Sequence, residues 1–341
     1  GKLFDPKKAQ EVVAQGVLDY VVLGHQMLAD PHWANKVKQG NTMDIAPCVG
    51  CNECLLAGFS GKHYYCAVNP LCYAEKEFAL PKVDGIKKSV LVIGGGPGGM
   101  YAAITARKRG YEVDLYEKEE RLGGTLWAAG MPTFKHDVLK LITYLERQCL
   151  KTGVNVYLNT EFTLKDAKKD YDKVILSAGS SPMMPPIPGI EKAGFVSEFL
   201  TDRKEAGKQI VAGWEAACYL KENAETVTII EMQEDILFGC DHCLNNDQAL
   251  RQMLQDNNIN KITKATVTKI EDNRVTYLQD NQEYTIVCDT IINAAGFKPN
   301  DQLEDALEEI YDDVTVIGDA KAPRKILTAI HEGYHAIRVM E

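Results

Sequence analysis

No stretch of this sequence reaches the roughly 18 consecutive apolar residues that a membrane-spanning helix needs. No leader of the secretory type opens the chain either. The reading is therefore a cytoplasmic protein with no membrane partner. Basic charge is also in short supply. Lys and Arg number 38 against 48 Asp and Glu, for a net charge of −10, which argues against a nucleic-acid surface. An initiating Met is missing as well: the chain starts at Gly1, and the natural N-terminus is expected to lie upstream.

What remains is an ordinary globular composition, 45% apolar and 25% charged over 341 residues, enough for two or three domains with real cores. Cysteine is the exception. Of ten cysteines, Cys48, Cys51, Cys54 and Cys66 crowd into nineteen residues. Without secretion signals, such crowding reads as metal before disulfide. Their C-x2-C-x2-C-x11-C spacing puts three thiolates on one tight loop, which suits a cubane iron–sulfur cluster. Four thiolates also suit tetrahedral zinc, although zinc ribbons usually carry two distant C-x-x-C pairs. Cys72 reads as a buried free thiol. Cys240 and Cys243, in "CDHC", could form a redox disulfide or half a metal site, but no second pair accompanies them.

Alternating strand and helix patterns with glycine turns predict a doubly wound α/β architecture. Helices are expected over 4–16, started by Asp5 and Pro6, and over 30–40, with a buried strand over 19–24 between them. After the cysteine loop and a polar linker at 81–88 come a strand (89–94), a helix (98–109) and a strand (112–117). A helix near 135–151 follows, then strands near 154–158 and 173–177, an α–β pair through 214–231 and a β-rich patch near 261–292. The strand in "VTVIGD" (314–319) and a helix from about 326 end the chain.

"SVLVIGGGPGGMYAA" sets Gly94, Gly96 and Gly99 on G-x-G-x-x-G between a strand and a helix. The first glycine permits the turn, the second admits a pyrophosphate, and the third lets helix and strand pack closely. Glu117, eighteen residues past Gly99, ends the next strand, where a carboxylate binds ribose hydroxyls. Gly213 and Glu231 repeat that eighteen-residue spacing. The front of this second unit is short, however. Lys88 to Gly99 is eleven residues, whereas Lys208 to Gly213 is five. About six residues, the first strand and two glycines, are expected to be absent. Either the site has been lost or the numbered chain passes over residues that the natural protein has. The second is the expectation, because the rest of the unit is intact. Glu231 favours an unphosphorylated ribose, hence NADH over NADPH.

One further motif, "HEGYH" (331–335), fits the zinc-protease signature H-E-x-x-H. Only six residues follow His335, and Arg338 stands where a turn glycine would be needed. His331 is expected to be a packed or hydrogen-bonded helix histidine, and Gly333 to mark a close approach to a cofactor or a neighbouring strand.

Together these segments resemble the NADH:flavin oxidoreductases of the 2,4-dienoyl-CoA reductase, 2-enoate reductase and trimethylamine dehydrogenase family. The resemblance covers essentially the whole chain. "VVLGHQMLADPHWANKVKQG" is similar to the last strand and helix of the family's FMN barrel, and "CVGCNEC" with "CAVNP" to its [4Fe-4S] loop. "VLVIGGGPGG", "YEKEERLGGTL", "SAGSSPMMPPIPG", "AAGFKPN" and "VIGDAKAPRKILTAIHEGYHA" are similar to its nucleotide-binding parts.

The resemblance implies two interleaved Rossmann-like domains, for FAD and NAD(P)H, preceded by an iron–sulfur loop and a remnant of a TIM barrel. The implied divisions are 1–40 (end of the FMN barrel), 41–80 (cluster loop), 81–200 and 296–341 (FAD), and 201–295 (NAD(P)H). It implies Cys48, Cys51, Cys54 and Cys66 as cluster ligands. For FAD it implies Gly94, Gly96, Gly99, Glu117, Gly124, Thr125, Lys135, the backbone of Phe162, Gly318 and Asp319. Gly24 and His25 stand where FMN phosphate is gripped, though the family usually has arginine at the latter. In such enzymes NAD(P)H reduces FAD, electrons pass singly through the cluster, and FMN reduces an activated alkene or oxidises an amine. A complete barrel needs roughly 250 residues, and about forty of that part are here. The substrate-site catalytic residues would lie in the remainder, so none is assigned. Other expectations are a disulfide reductase using Cys240 and Cys243, or an electron-transfer module serving a separate barrel subunit, with a homo-oligomer also in view.

Overall fold

The computed structural model describes residues 3–81, 85, 87–167, 170–201, 204–238 and 243–341. Lys82, Val83, Asp84 and Ile86 of the expected linker, and Cys240 of "CDHC", lie outside the described residues.

Along the chain come helices α1 (Pro6–Ala14), α2 (His25–Ala29), α3 (Trp33–Lys38) and α4 (Glu53–Phe59). Then β1 (Ser89–Ile93), α5 (Pro97–Lys108), β2 (Glu112–Tyr116), α6 (Leu126–Gly130), α7 (Asp137–Thr152), β3 (Asn155–Tyr157) and β4 (Lys173–Leu176) follow. Next are β5 (Ser180–Pro182), β6 (Gly194–Phe195), α8 (Val196–Leu200), β7 (Gln209–Val211), α9 (Trp214–Leu220), β8 (Thr226–Ile230) and α10 (Leu244–Asp256). The chain continues with β9 (Asn260–Ile262), β10 (Ala265–Glu271), β11 (Arg274–Gln279), β12 (Gln282–Val287) and β13 (Thr290–Asn293). It closes with β14 (Phe297–Pro299), α11 (Glu304–Glu308), β15 (Val314–Val316) and α12 (Ile326–Arg338).

Two interleaved units result. Unit one takes residues 1–126, 137–180 and 299–341; unit two takes 127–136 and 181–298. The longer part of unit two runs over 181–298. Residues 1–80 belong to unit one and do not divide from it.

Unit one is built on a parallel sheet in the order β15-β4-β1-β2-β3. β1 is central, and Val90, Leu91 and Val92 are wholly buried, as an apolar strand covered on both faces must be. Leu91 and Ile93 share one core cluster with Val174, Leu176, Phe162, Tyr171, Leu307 and Tyr311. Each such apolar side chain contributes about 1.5–3 kcal/mol relative to exposure. Unit two repeats the design: a parallel sheet in the order β6-β13-β7-β8-β9, plus the antiparallel meander β10-β11-β12. In a doubly wound sheet ligands bind beyond the carboxyl ends of the strands, where the strand order reverses. That point lies at the end of β1 in unit one and of β7 in unit two.

The strand expected over 19–24 does not form. A strand needs a ladder partner, and this segment has none among the described residues. Its Tyr20 and Val22, and Val17 just before it, are exposed at 75%, 81% and 66%. The helix expected at 30–40 starts later, at Trp33, and a short helix from His25 precedes it. The reason is Asp30, whose carboxylate accepts from His32 N–H and Ala46 N–H instead of opening a helix at once. The strand thought absent from unit two is present: β7, three residues long, lies between β8 and β13. No helix among the described residues is long and apolar enough to cross a membrane.

Candidate functional site

Beyond β1 the chain turns through Gly94, Gly95 and Gly96 into α5. A Cβ at Gly94 would lie 2.3 Å from the Ser177 carbonyl oxygen, and one at Gly99 would lie 2.0 Å from that of Gly94. Those two glycines are demanded by the protein's own packing. Gly96 is different. It caps α5 in extended backbone (φ −69°), and a Cβ there meets nothing within 4 Å. The open space sits at the N-terminus of a twelve-residue helix, where unpaired N–H groups and the helix dipole favour a pyrophosphate.

Glu117 closes the site from β2. It is 7% exposed. Its Oε2 accepts from Gly95 N–H at 2.8 Å and its Oε1 from Glu119 N–H at 2.9 Å. These bonds aim the carboxylate at the glycine turn and leave lone pairs for ribose hydroxyls. Gly123 N–H donates to the Gly95 carbonyl at 2.9 Å, and Gly124 lies against Gly96, so the "RLGG" turn docks on the phosphate loop. Thr125 is exposed beside it. The Gly318–Asp319 turn follows β15. Gly318 N–H donates to Glu332 Oε2 at 2.7 Å, and Asp319 Oδ1 accepts from Arg324 N–H at 3.1 Å. Phe162 is 4% exposed and sits edge-on to Tyr116 in the core. Its side chain is committed to packing, so a ligand contact there falls to its backbone. Lys135 belongs to unit two, in a short turn at Thr133–Lys135. The residues of unit one, then, fit an FAD.

In unit two, Glu231 copies part of this geometry. Its Oε1 accepts from Gln233 N–H at 2.9 Å, as Glu117 does from Glu119, and its own N–H donates to Ile262 as that of Glu117 does to Tyr157. The ribose end therefore matches. The phosphate end does not. β7 ends with Val211 opposite Thr228, three residues before Glu231, whereas β1 ends with Ile93 opposite Tyr116, one residue before Glu117. Only Ala212 and Gly213 join strand to helix, and α9 has seven residues. Gly213 caps α9 as Gly96 caps α5, so its structural counterpart is Gly96 and not Gly99. Unlike Gly96 it faces no open space: a Cβ there would lie 2.5 Å from the Ala294 methyl.

The four clustered thiols come together. Cys48, Cys51, Cys54 and Cys66, with His25, line one small cavity in unit one. Burial pushes the Cys51 thiol up to about 11 and the Cys66 thiol up to about 12. Thiolates here would need a cationic centre to stabilise them. Among the described residues no three His, Cys, Asp or Glu side chains are gathered closely enough for a single metal ion. Tetrahedral zinc would draw four sulfurs to within about 4 Å of one another, from Zn–S bonds of about 2.3 Å. Four thiols lining one cavity are also a donor set of the kind that holds an iron–sulfur cluster.

No sequence motif marks the residues that hold this loop. Gln26, 3% exposed, donates to the Ala46 carbonyl at 2.7 Å and accepts from Cys48 N–H at 3.1 Å. Asn69 donates to the Leu28 carbonyl at 2.8 Å. Cys72 is buried, as expected, and burial pushes its thiol up to about 11. Gly24 and His25 open α2; both are exposed, and both border a groove of about 350 Å³ that Leu18, Tyr20 and Val22 also line. Cys243 is 2% exposed, which makes it a packed thiol. The zinc-protease reading of "HEGYH" fails, because His331 Nε2 bonds the Cys66 carbonyl at 2.8 Å and Glu332 is paired with Arg324 at 2.8 Å.

Comparison with known proteins agrees with this layout. The family model for pyridine nucleotide-disulphide oxidoreductases matches residues 88–321. The chain is 32% identical to a cinnamate reductase of Clostridium sporogenes, over 99% of this chain and 52% of that protein. It is 34% identical to an NADH oxidase of Thermoanaerobacter brockii, over 98% and 54% respectively. A solved 2-naphthoyl-CoA reductase in complex with 2-naphthoyl-CoA superposes with a TM-score of 0.92 at 30% identity, covering 98% of this chain and 52% of that one. The chain thus spans about half the length of the relatives it matches. A thioredoxin reductase of Lactococcus lactis, at 18% identity and a TM-score of 0.59, shares the fold alone. On this footing the chain belongs to the pyridine nucleotide-disulphide oxidoreductase family, in its 2-enoate reductase or NADH:flavin oxidoreductase branch.

Proposed function

We propose that this chain is the NADH-to-cluster half of a flavin- and iron–sulfur-dependent oxidoreductase. FAD is held by unit one, a [4Fe-4S] cluster by Cys48, Cys51, Cys54 and Cys66, and FMN by a barrel of which this chain carries only the end. The reaction served is reduction of an activated alkene of the enoate or dienoyl-CoA type. The observation that carries the reading is that four thiols meet in one cavity of the same unit that presents an open glycine loop. When bound, the flavin takes two electrons from a nicotinamide and the cluster passes them on singly.

The chain's own residues bind and orient. Gly96 leaves room for the pyrophosphate, the α5 N-terminus offsets its charge, and Glu117 accepts from ribose. Cys54 and Cys66 are buried and Cys48 and Cys51 half-buried, which limits water at the cluster. Glu231 accepts from the adenosine ribose of NADH and repels a 2′-phosphate. The short Ala212–Gly213 connection supplies no second phosphate cradle, so NADH is held mainly by its ribose end. Exposed Val17, Tyr20 and Val22, beside the groove at His25, support a barrel docking on this edge, whether from the same polypeptide or from a separate subunit.

Anaerobic addition of NADH to the purified protein tests the reading. The flavin absorbance should fall, and a reduced-cluster signal should then grow in electron paramagnetic resonance. Flavin bleaching with no cluster signal would refute the electron route.

A further inference from the structure

The "HEGYH" motif is fully engaged, residue by residue, with the protein's own groups. His331 Nε2 lies 2.8 Å from the Cys66 carbonyl oxygen. A carbonyl oxygen only accepts, so this nitrogen carries the hydrogen. Glu332 accepts from Gly318 N–H and takes both oxygens to Arg324 Nη2, at 2.8 and 3.0 Å. Gly333 lets α12 lie directly on α5, for a Cβ there would sit 2.3 Å from the Gly98 carbonyl oxygen. Tyr334 donates to the Phe78 carbonyl, and His335 packs edge-on against the Phe78 ring. One residue before α12, Lys325 Nζ pairs at 2.9 Å with Glu53, a 7% exposed carboxylate between Cys51 and Cys54. Helix α12 and its cap residue Lys325 therefore grip the cysteine loop at two points, the Gly318 turn at one, and the glycine-loop helix along its length.

We propose that α12 is an internal bracket that fixes the cysteine loop and the flavin turn in one register, with His331 and Glu332 as its positioning residues. This rests on the cluster and FAD assignments made above. The two side chains are neighbours in sequence and leave the helix for different sites. His331 fixes the backbone at Cys66, the ligand farthest in sequence from the other three. Glu332 fixes Gly318, the residue that turns the chain toward the flavin. Neither needs to touch a cofactor. Each holds a backbone group whose displacement would move a cofactor ligand, and a shift of even 1 Å in such a site is functionally large.

The test uses the anaerobically purified holoprotein. Two rates are read on each variant: loss of iron to an external chelator, and loss of flavin on dilution. His331→Leu keeps the bulk and removes the donor; His331→Gln restores a donor. Glu332→Leu removes the acceptor; Glu332→Gln keeps an oxygen for Gly318 but loses the charge for Arg324. His331→Leu should speed iron loss roughly fivefold, the effect of one net hydrogen bond, with flavin loss unchanged and with partial rescue by His331→Gln. Glu332→Leu should do the reverse, speeding flavin loss by a similar factor while iron loss stays put, with partial rescue by Glu332→Gln. Equal acceleration of both losses by either leucine variant, or no change in either, would overturn the bracket. A wild-type protein that binds no iron would instead refute the cluster assignment itself, so the two failures are distinguishable.

Discussion

Two glycines three residues apart should respond to substitution in opposite ways. Gly99→Ala places a methyl 2.0 Å from the Gly94 carbonyl oxygen and 2.5 Å from Ser177 Oγ. Ordinary contact begins near 3.4 Å, so backbone must move by more than about 1 Å, and overpacking of this kind costs about 1–3 kcal/mol or more. That cost is independent of any ligand. At Gly96 a Cβ meets no protein atom within 4 Å, and the extended backbone there suits any residue. The price of Gly96→Val to the fold is that of a poorer helix cap, about 0.5–1 kcal/mol. The valine methyls enter the space assigned to the pyrophosphate. Urea unfolding of the flavin-free proteins should therefore show Gly99→Ala clearly destabilised and Gly96→Val close to wild type. Flavin retained after desalting should invert the order for Gly96→Val, falling below about a tenth of wild type because the backbone can no longer approach the phosphates. A folded Gly96→Val protein with full flavin, or a neutral Gly99→Ala, would refute the assignment of roles.

Other outcomes follow from single contacts. Asp44 accepts from Arg147, Gln148 and Lys151, and those partners hold its carboxyl below the usual carboxylate range. Arg147 and Lys151 are about half exposed, which discounts the pairing, so Asp44→Asn should cost about 1–2 kcal/mol in chemical denaturation. Because its folded pKa is depressed, that contribution is present at neutral pH and is lost as pH falls through the folded value, so the variant and wild type should converge in stability in strong acid. Glu231→Ala should narrow the preference for NADH over NADPH, read from flavin bleaching rates; an unchanged ratio would remove Glu231 from the ribose site. Asn69→Ala frees the bond to the Leu28 carbonyl and should lower cluster retention measured by iron content, with flavin content unchanged.

Much of the fold was legible because local pattern and tertiary demand agree. "SVLVI" is apolar throughout and forms the central, wholly covered strand β1; the glycine run marks the turn after it, and Glu117 marks the end of β2. The same logic misread residues 19–24, whose apolar run forms no ladder for want of a neighbour. It also misread Gly213, because equal spacing to a glutamate does not fix where a helix starts. α9 is shorter than α5, so a glycine eighteen residues before Glu231 becomes a cap and not a packing position. The grouping of Cys48, Cys51, Cys54 and Cys66 around one cavity was legible from their spacing. Their supports were not, because Gln26 reaches 20 residues along the chain and His331 reaches 265. Contacts of that range leave no periodic trace in one sequence.

The central claim is that unit one holds an FAD and an iron–sulfur cluster together. Chemical analysis of the anaerobically purified protein tests it most directly. The account predicts about one FAD, about four iron and about four acid-labile sulfide per chain, the stoichiometry of a [4Fe-4S] centre. Cys66→Ser should lower the iron and sulfide but leave the flavin. Stoichiometric zinc without iron, or a full cluster in the absence of Cys66, would contradict it.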